Sequence, residues 1–156
     1  MSDVANLFEV ALTKDADDPD GYNASYARVG PLIGAAALGL SIYSLPPGQS
    51  ICPYHYEYPN EEWLVVLEGR PTLRHPDGED ELVVWDVVCF PAGPAGAHKV
   101  TNRTDEPVLV AMLSTKDDPS IAGYPDSDKI GVWSGDGKIE HLFRRGDAVD
   151  YWDGET

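Results

Sequence analysis

Gly48-Gln-Ser-Ile-Cys-Pro-Tyr-His55-Tyr-Glu57-Tyr-Pro-Asn-Glu61-Glu62-Trp-Leu-Val-Val-Leu-Glu-Gly69 is the stretch that decides the fold. It sets one imidazole and three carboxylates between two apolar segments. A second stretch, Phe90-Pro91-Ala-Gly93-Pro-Ala-Gly96-Ala-His98-Lys-Val-Thr-Asn102, leads from turn formers to another histidine. Side chains alternate across an extended strand, so His55 and Glu57 share a face and Tyr54 and Tyr56 take the other. The same parity puts Glu62 with Leu64 and Val66, and His98 with Val100 and Asn102. Glu61 then falls on the solvated side.

Around these segments short strands alternate with turns. The pattern predicts strands near 37–45, 51–57, 62–68, 70–75, 81–84, 87–90, 97–102 and 107–114, with turn chemistry at Glu68-Gly69, Pro76-Asp77-Gly78 and Thr104-Asp105-Glu106-Pro107. No amphipathic helix interrupts them, which points to an all-β barrel or sandwich. After Thr115 turn residues dominate and only Lys129–Trp133 reads as a strand. The expectation for 115–156 is an arm that wraps the barrel, anchored by Trp133, Phe143, Tyr151 and Trp152, or else closing them over a pocket mouth.

The chain has 156 residues, enough for one domain with a sizeable core and no need of staples. Its formal net charge is −16, from 27 acids and 11 bases. That field repels phosphate backbones and anionic lipid, which disfavours nucleic-acid and membrane-surface roles. The longest apolar run, Ile33–Leu40, is too short to cross a bilayer. The N-terminus lacks a basic and an apolar leader region, and two cysteines form no disulfide framework, so a cytoplasmic location is expected.

The two stretches resemble the signature motifs of the cupin superfamily. The first motif of that family reads Gly, spacer, His-x-His, four residues, Glu, six residues, Gly; here it is His55-x-Glu57, four residues, Glu62, six residues, Gly69. The second reads Pro-x-Gly, two residues, His, three residues, Asn; here it is Pro91-x-Gly93, four residues, His98, three residues, Asn102. Glu57 replaces the second histidine, and two extra residues precede His98. The resemblance implies a double-stranded β-helix (a jelly-roll barrel) over about 36–114, a divalent metal and frequent homodimers. It implies no single reaction, because the fold hosts many.

An ionised carboxylate inside an apolar barrel is costly unless paired or metal-bound. Carried onto this sequence, the motif makes His55, Glu57, Glu62 and His98 the candidate ligands. Glu57 could instead pair with Lys99 or an arginine. Two histidines and two carboxylates suit Fe(II), Mn(II) or Zn(II) and do not choose among them. Cys52, on the face opposite His55 by parity, and Cys89, in an apolar run, read as core residues. His75 and His141 read as exposed loop residues. Trp85-Asp86 occupies a turn where the family has Gly-Asp, and a tryptophan there predicts altered turn geometry.

Two functions follow. One is a metal-dependent oxygenase or isomerase acting on a small organic ligand. The other is a cupin that binds or senses a small metabolite without turnover. The outward residues Trp63, Val65 and Leu67 are too apolar to face water, which predicts cover from the arm or from a second copy. The N-terminal stretch Leu7–Leu12 could add to a neighbour's edge, and a homodimer is expected.

Overall fold

The computed structural model describes residues 3–155. Thirteen strands form three antiparallel sheets, and the only helical pieces among the described residues are four short 3₁₀ turns. The largest sheet runs in the order β1 (Thr13–Lys14), β2 (Ser25–Arg28), β3 (Leu38–Leu45), β10 (Val108–Thr115), β5 (Glu62–Glu68) and β8 (Val87–Phe90). A second sheet joins β7 (Gly78–Glu81), β6 (Thr72–His75) and β9 (Lys99–Thr101). A third joins β13 (Glu140–Arg144), β12 (Lys129–Trp133), β11 (Ser120–Tyr124) and β4 (Tyr56–Tyr58). Together they make the jelly-roll barrel that the resemblance of the two motifs implies. No helix among the described residues is long and apolar enough to cross a membrane.

β5 shows how the sequence sets the barrel. Leu64 and Val66 are fully buried and pack with Leu45, Leu73, Phe90, Val100, Val108 and Val110 in the interior. Each such side chain stabilises by roughly 1.5–3 kcal/mol when fully buried. A register shift between Leu109 and Val110, opposite Glu68 and Val66, leaves Leu67 unpaired in the ladder. Leu67 is buried on the far face with Val29, Ile42 and Ala111. Ala5, Leu7 and Val10 pack on this second cluster, so the N-terminal stretch lies back on its own sheet.

Several local expectations change. The 51–57 strand is broken: only Ser50 and His55 bridge to Thr101 and His98 before β4 begins at Tyr56. Pro53 has no N–H to give to the ladder, and the chain bends there. The 81–84 strand lies earlier, at Gly78–Glu81, and residues 82–86 form the turn. That turn keeps a left-handed residue, Trp85 at φ 75°, where altered geometry was expected. Hydrogen bonds over-determine it: Trp85 N to Val66 O at 2.9 Å, Val66 N to Asp86 O at 3.0 Å, and Val83 N to Asp86 Oδ2 at 2.8 Å.

The C-terminal segment adds strands β11 and β13 that its turn-rich sequence did not reveal. It is held by backbone pairing to β4; of the four expected aromatic anchors Phe143, Tyr151 and Trp152 are exposed, and Trp133 alone is partly buried. His75 and His141 lie on β6 and β13, not in loops. Cys89 is exposed on β8 opposite Trp63, not in the core.

Candidate metal centre

One end of the barrel opens into a cavity of about 440 Å³ whose lining includes His55, Glu57, Glu62 and His98. The structure brings three of these together. Ligand atoms of His55, Glu62 and His98 all lie within 4.8 Å of one another. Glu62 Oε2 stands 3.9 Å from His55 Nε2 and 3.7 Å from His98 Nε2, beyond hydrogen-bond range. Glu57 lines the same cavity outside that group. Its Oε2 accepts from Asn60 Nδ2 and from Ser120 Oγ, each at 3.3 Å, and it forms no ion pair with Lys99 or an arginine.

The two histidines are aimed by the backbone. His55 N donates to His98 O at 3.1 Å and His98 N to His55 O at 2.8 Å, which sets the two strands in register. His55 Nδ1 lies 3.0 Å from Pro53 O, and His98 Nδ1 lies 2.9 Å from Gly96 O. A carbonyl only accepts, so each Nδ1 carries the proton and each Nε2 turns an unprotonated lone pair toward Glu62. This is the outer-shell arrangement that orients a metal-bound imidazole. The ring of His98 is further fixed by stacking on Phe90, with centroids 3.7 Å apart.

The two extra residues before His98 now have a structural role. They form a 3₁₀ turn, Pro94–Gly96, which delivers the Gly96 carbonyl to His98. The turn is so tight that a Cβ on Gly96 would collide with the Pro91 carbonyl.

Electrostatics fit a cation. Burial, then the charge of Glu57, pushes the Glu62 carboxyl up to about 8. Burial, then His55, pushes His98 down to about 4, and burial also lowers His55. Two neutral imidazoles and a carboxylate poor in partners form a donor set that a divalent ion would satisfy. The residues present therefore fit such an ion.

Sequence reasoning missed other lining residues. Cys52 was placed on the face opposite His55, but the bend at Pro53 turns its Sγ to 3.5 Å from His55 Nδ1. Burial, then Glu62 and Glu57, pushes its thiol up to about 12, so it stays protonated. Tyr124 and Ser120 come from the C-terminal segment and line the cavity, as does Trp133, which the sequence offered either as a packing anchor or as cover for a pocket mouth. The indole of Trp133 sits over Gly131 of its own strand, in space that any Cβ there would fill. The Lys129–Trp133 strand was legible, but its partners were not, and so neither was the wall.

The model for the cupin domain matches residues 41–114. Among curated protein sequences none matches this chain. Of the solved structures, a sugar phosphate isomerase of the cupin superfamily from Silicibacter pomeroyi DSS-3 is 26% identical, with 95% of this chain and 96% of that chain covered and a TM-score of 0.80. A protein from Acidithiobacillus ferrooxidans ATCC 23270 shares the fold at 24% identity, covering 83% of this chain and 81% of its own, with a TM-score of 0.76. The polyketide cyclase RemF from Streptomyces resistomycificus shares it at 19% identity over 75% of this chain and 81% of its own, TM-score 0.62.

Proposed function

We propose that this small cupin-domain protein is a metal-dependent isomerase that moves a proton between neighbouring carbons of a small hydroxy-carbonyl compound. The carrying observation is a second carboxylate, Glu57, set apart from the His55–Glu62–His98 group but in the same cavity. The end-to-end likeness to a sugar phosphate isomerase supports the reaction class. A divalent ion bound by His55, Glu62 and His98 would supply a Lewis acid for the substrate oxygens.

The remaining work belongs to the chain. Asn60 and Ser120 hold Glu57 Oε2 in place, a geometry suited to a general base. Glu57 takes the proton from the carbon beside the carbonyl, and the C–H electron pair moves toward the carbonyl oxygen as an enediol forms. Returning that proton to the former carbonyl carbon, while the hydroxyl proton moves between the two oxygens, completes the isomerisation with no outside oxidant or reductant. Tyr124, whose hydroxyl burial pushes up to about 12, remains a hydrogen-bond donor throughout. The apolar walls Ile51, Val100 and Met112 limit water in the site.

The test is solvent exchange. Protein loaded with Mn(II), Fe(II) or Zn(II) is incubated with aldoses and ketoses in D₂O, and deuterium at the carbon beside the carbonyl is read by NMR. Incorporation that Glu57→Gln abolishes, with metal content unchanged, is the expected result. Metal loss in Glu57→Gln would make Glu57 a fourth ligand instead. Ligand binding without exchange would make the protein a binding cupin without turnover.

A further inference from the structure

We propose that the cavity accepts an uncharged polyhydroxylated carbonyl compound, of the free-sugar class, and turns away the phosphate ester of the same compound. This rests on the isomerase reading and narrows it, and it departs from the phosphorylated substrate named for the Silicibacter pomeroyi protein.

Among the cavity-lining residues the charged side chains are Glu57 and Glu62, and none is lysine or arginine. The two charges of a divalent ion would be matched by those two carboxylates, which leaves no positive charge over for a phosphate dianion. The surrounding chain carries a net charge of −16, so the wider field opposes an anion as well. Phosphate sites generally use arginine forks, lysines or helix N-termini. Among the described residues there is no α-helix to supply the last.

Two nearby cations, Lys99 and Arg74, are committed elsewhere. Lys99 pairs in register with Arg74, and its Nζ donates to Tyr22 Oη at 3.1 Å. Arg74 makes two bonds to Asp126, at 2.6 and 2.9 Å, and lies over the Tyr54 ring. Lys129 lies against a cavity residue, with Nζ 5.3 Å from the centroid of the Tyr124 ring, and Arg28 is near enough to act on the Tyr43 hydroxyl. Either could serve a phosphate, and Lys129, beside Tyr124, becomes the control.

What the lining does offer suits a sugar. Tyr43, Ser120 and Tyr124 bring hydroxyls, and Tyr124 and Trp133 bring aromatic faces for the C–H side of a pyranose or open chain. A volume of about 440 Å³ falls within the range of small-molecule sites.

The experiment is calorimetric titration of full-length, metal-loaded protein with aldopentoses and aldohexoses, each as the free sugar and as its terminal phosphate ester, at low and high salt. The free sugar should bind, with the ester weaker by about tenfold or more at low salt. That gap should narrow at high salt and in Glu57→Gln, while Lys129→Met should leave the free-sugar affinity unchanged. An ester that binds more tightly than its free sugar, with the advantage lost in Lys129→Met, overturns the proposal, as does failure of every free sugar to bind. Deuterium exchange into the esters alone would overturn the charge selection and leave the isomerase reading standing. Free-sugar binding without exchange would do the reverse.

Discussion

His55 and His98 exchange both backbone hydrogen bonds, at 3.1 and 2.8 Å, and each ring is anchored to a carbonyl two residues earlier in the chain. Neither Nε2 can be re-aimed without breaking that bridge, so the pair is preorganised for one ion. Binding to the folded state alone stabilises by about 2.7 kcal/mol at a free ion concentration 100 times Kd. Thermal unfolding of chelator-treated protein should therefore rise on adding Zn(II) or Mn(II), and the rise should vanish in His98→Ala and Glu62→Gln. An unchanged rise in both variants would place the ion elsewhere.

The same three residues give the metal-free protein a distinctive pH profile. The Glu62 carboxyl, pushed up to about 8 from an ordinary 4.5, keeps a proton in the folded state that the unfolded chain releases. Its contribution is complete below 4.5 and is lost progressively as pH rises from there to about 8. His98, pushed down to about 4 from 6.5, works the other way: its contribution is present above 6.5 and is lost as pH falls through 4. His55 shifts in the same direction as His98. Stability in chelator should thus peak near pH 6.5 and fall toward 8, whereas Glu62→Gln should lose the alkaline fall. Calorimetry below, at and above the peak, at about pH 5.5, 6.5 and 8, reads this directly; a wild-type profile flat above 6.5 would contradict it.

Asn102 belongs to the second motif and to structure rather than to the metal. It is completely buried; its Nδ2 donates to Leu45 O and Glu106 O, both at 2.8 Å, and its Oδ1 accepts from Thr104 N and Oγ1 at 2.9 and 2.7 Å. Asn102→Ala leaves those partners unsatisfied and should cost about 2–4 kcal/mol, on the scale of one or two stranded buried groups. Metal affinity, measured by competition with a chelating dye, should stay within about twofold if the loss is confined to stability. A tenfold loss of affinity would give Asn102 a part in the centre.

The barrel and the His–Glu–His group were legible because both follow local rules. Strand parity holds over Glu62–Val66, where the ladder is regular, and it chose Glu62 over Glu61 correctly. Parity failed at Cys52 because Pro53 breaks the strand it assumes. The walls of the cavity were hidden for a different reason. Ser120, Tyr124 and Trp133 are positioned by long-range pairing of β11 with β4 and β12, which no local pattern encodes. Turn-rich punctuation therefore read as an irregular arm.

Trp85 marks where residue preference and geometry disagree. Its φ of 75° is a glycine conformation, held by the turn's hydrogen bonds, while the indole is 71% exposed and earns little burial. A left-handed non-glycine residue costs roughly 1–2 kcal/mol, partly offset by the greater unfolded freedom of glycine. Trp85→Gly should raise stability by about 0.5–1 kcal/mol, or a few degrees in Tm. A drop beyond about 1 kcal/mol would mean that the exposed indole is covered by something in solution.

We propose that a second copy covers the apolar residues left exposed on the Trp63 face. The N-terminal segment shields Leu67 and part of Val65, but Trp63 remains 46% exposed beside Val87 and Cys89 on β8, the open edge of the six-stranded sheet. β8 carries no charge across Val87–Phe90, so it is a place where two chains of net charge −16 could meet without opposing like charges within the strand. Such a dimer should tighten as salt screens the long-range repulsion. Sedimentation should show a homodimer strengthened by salt, and Val87→Lys should shift it to monomer at both salt levels without changing metal binding. A wild-type monomer at every salt concentration would leave the edge guarded only by its shortness and twist.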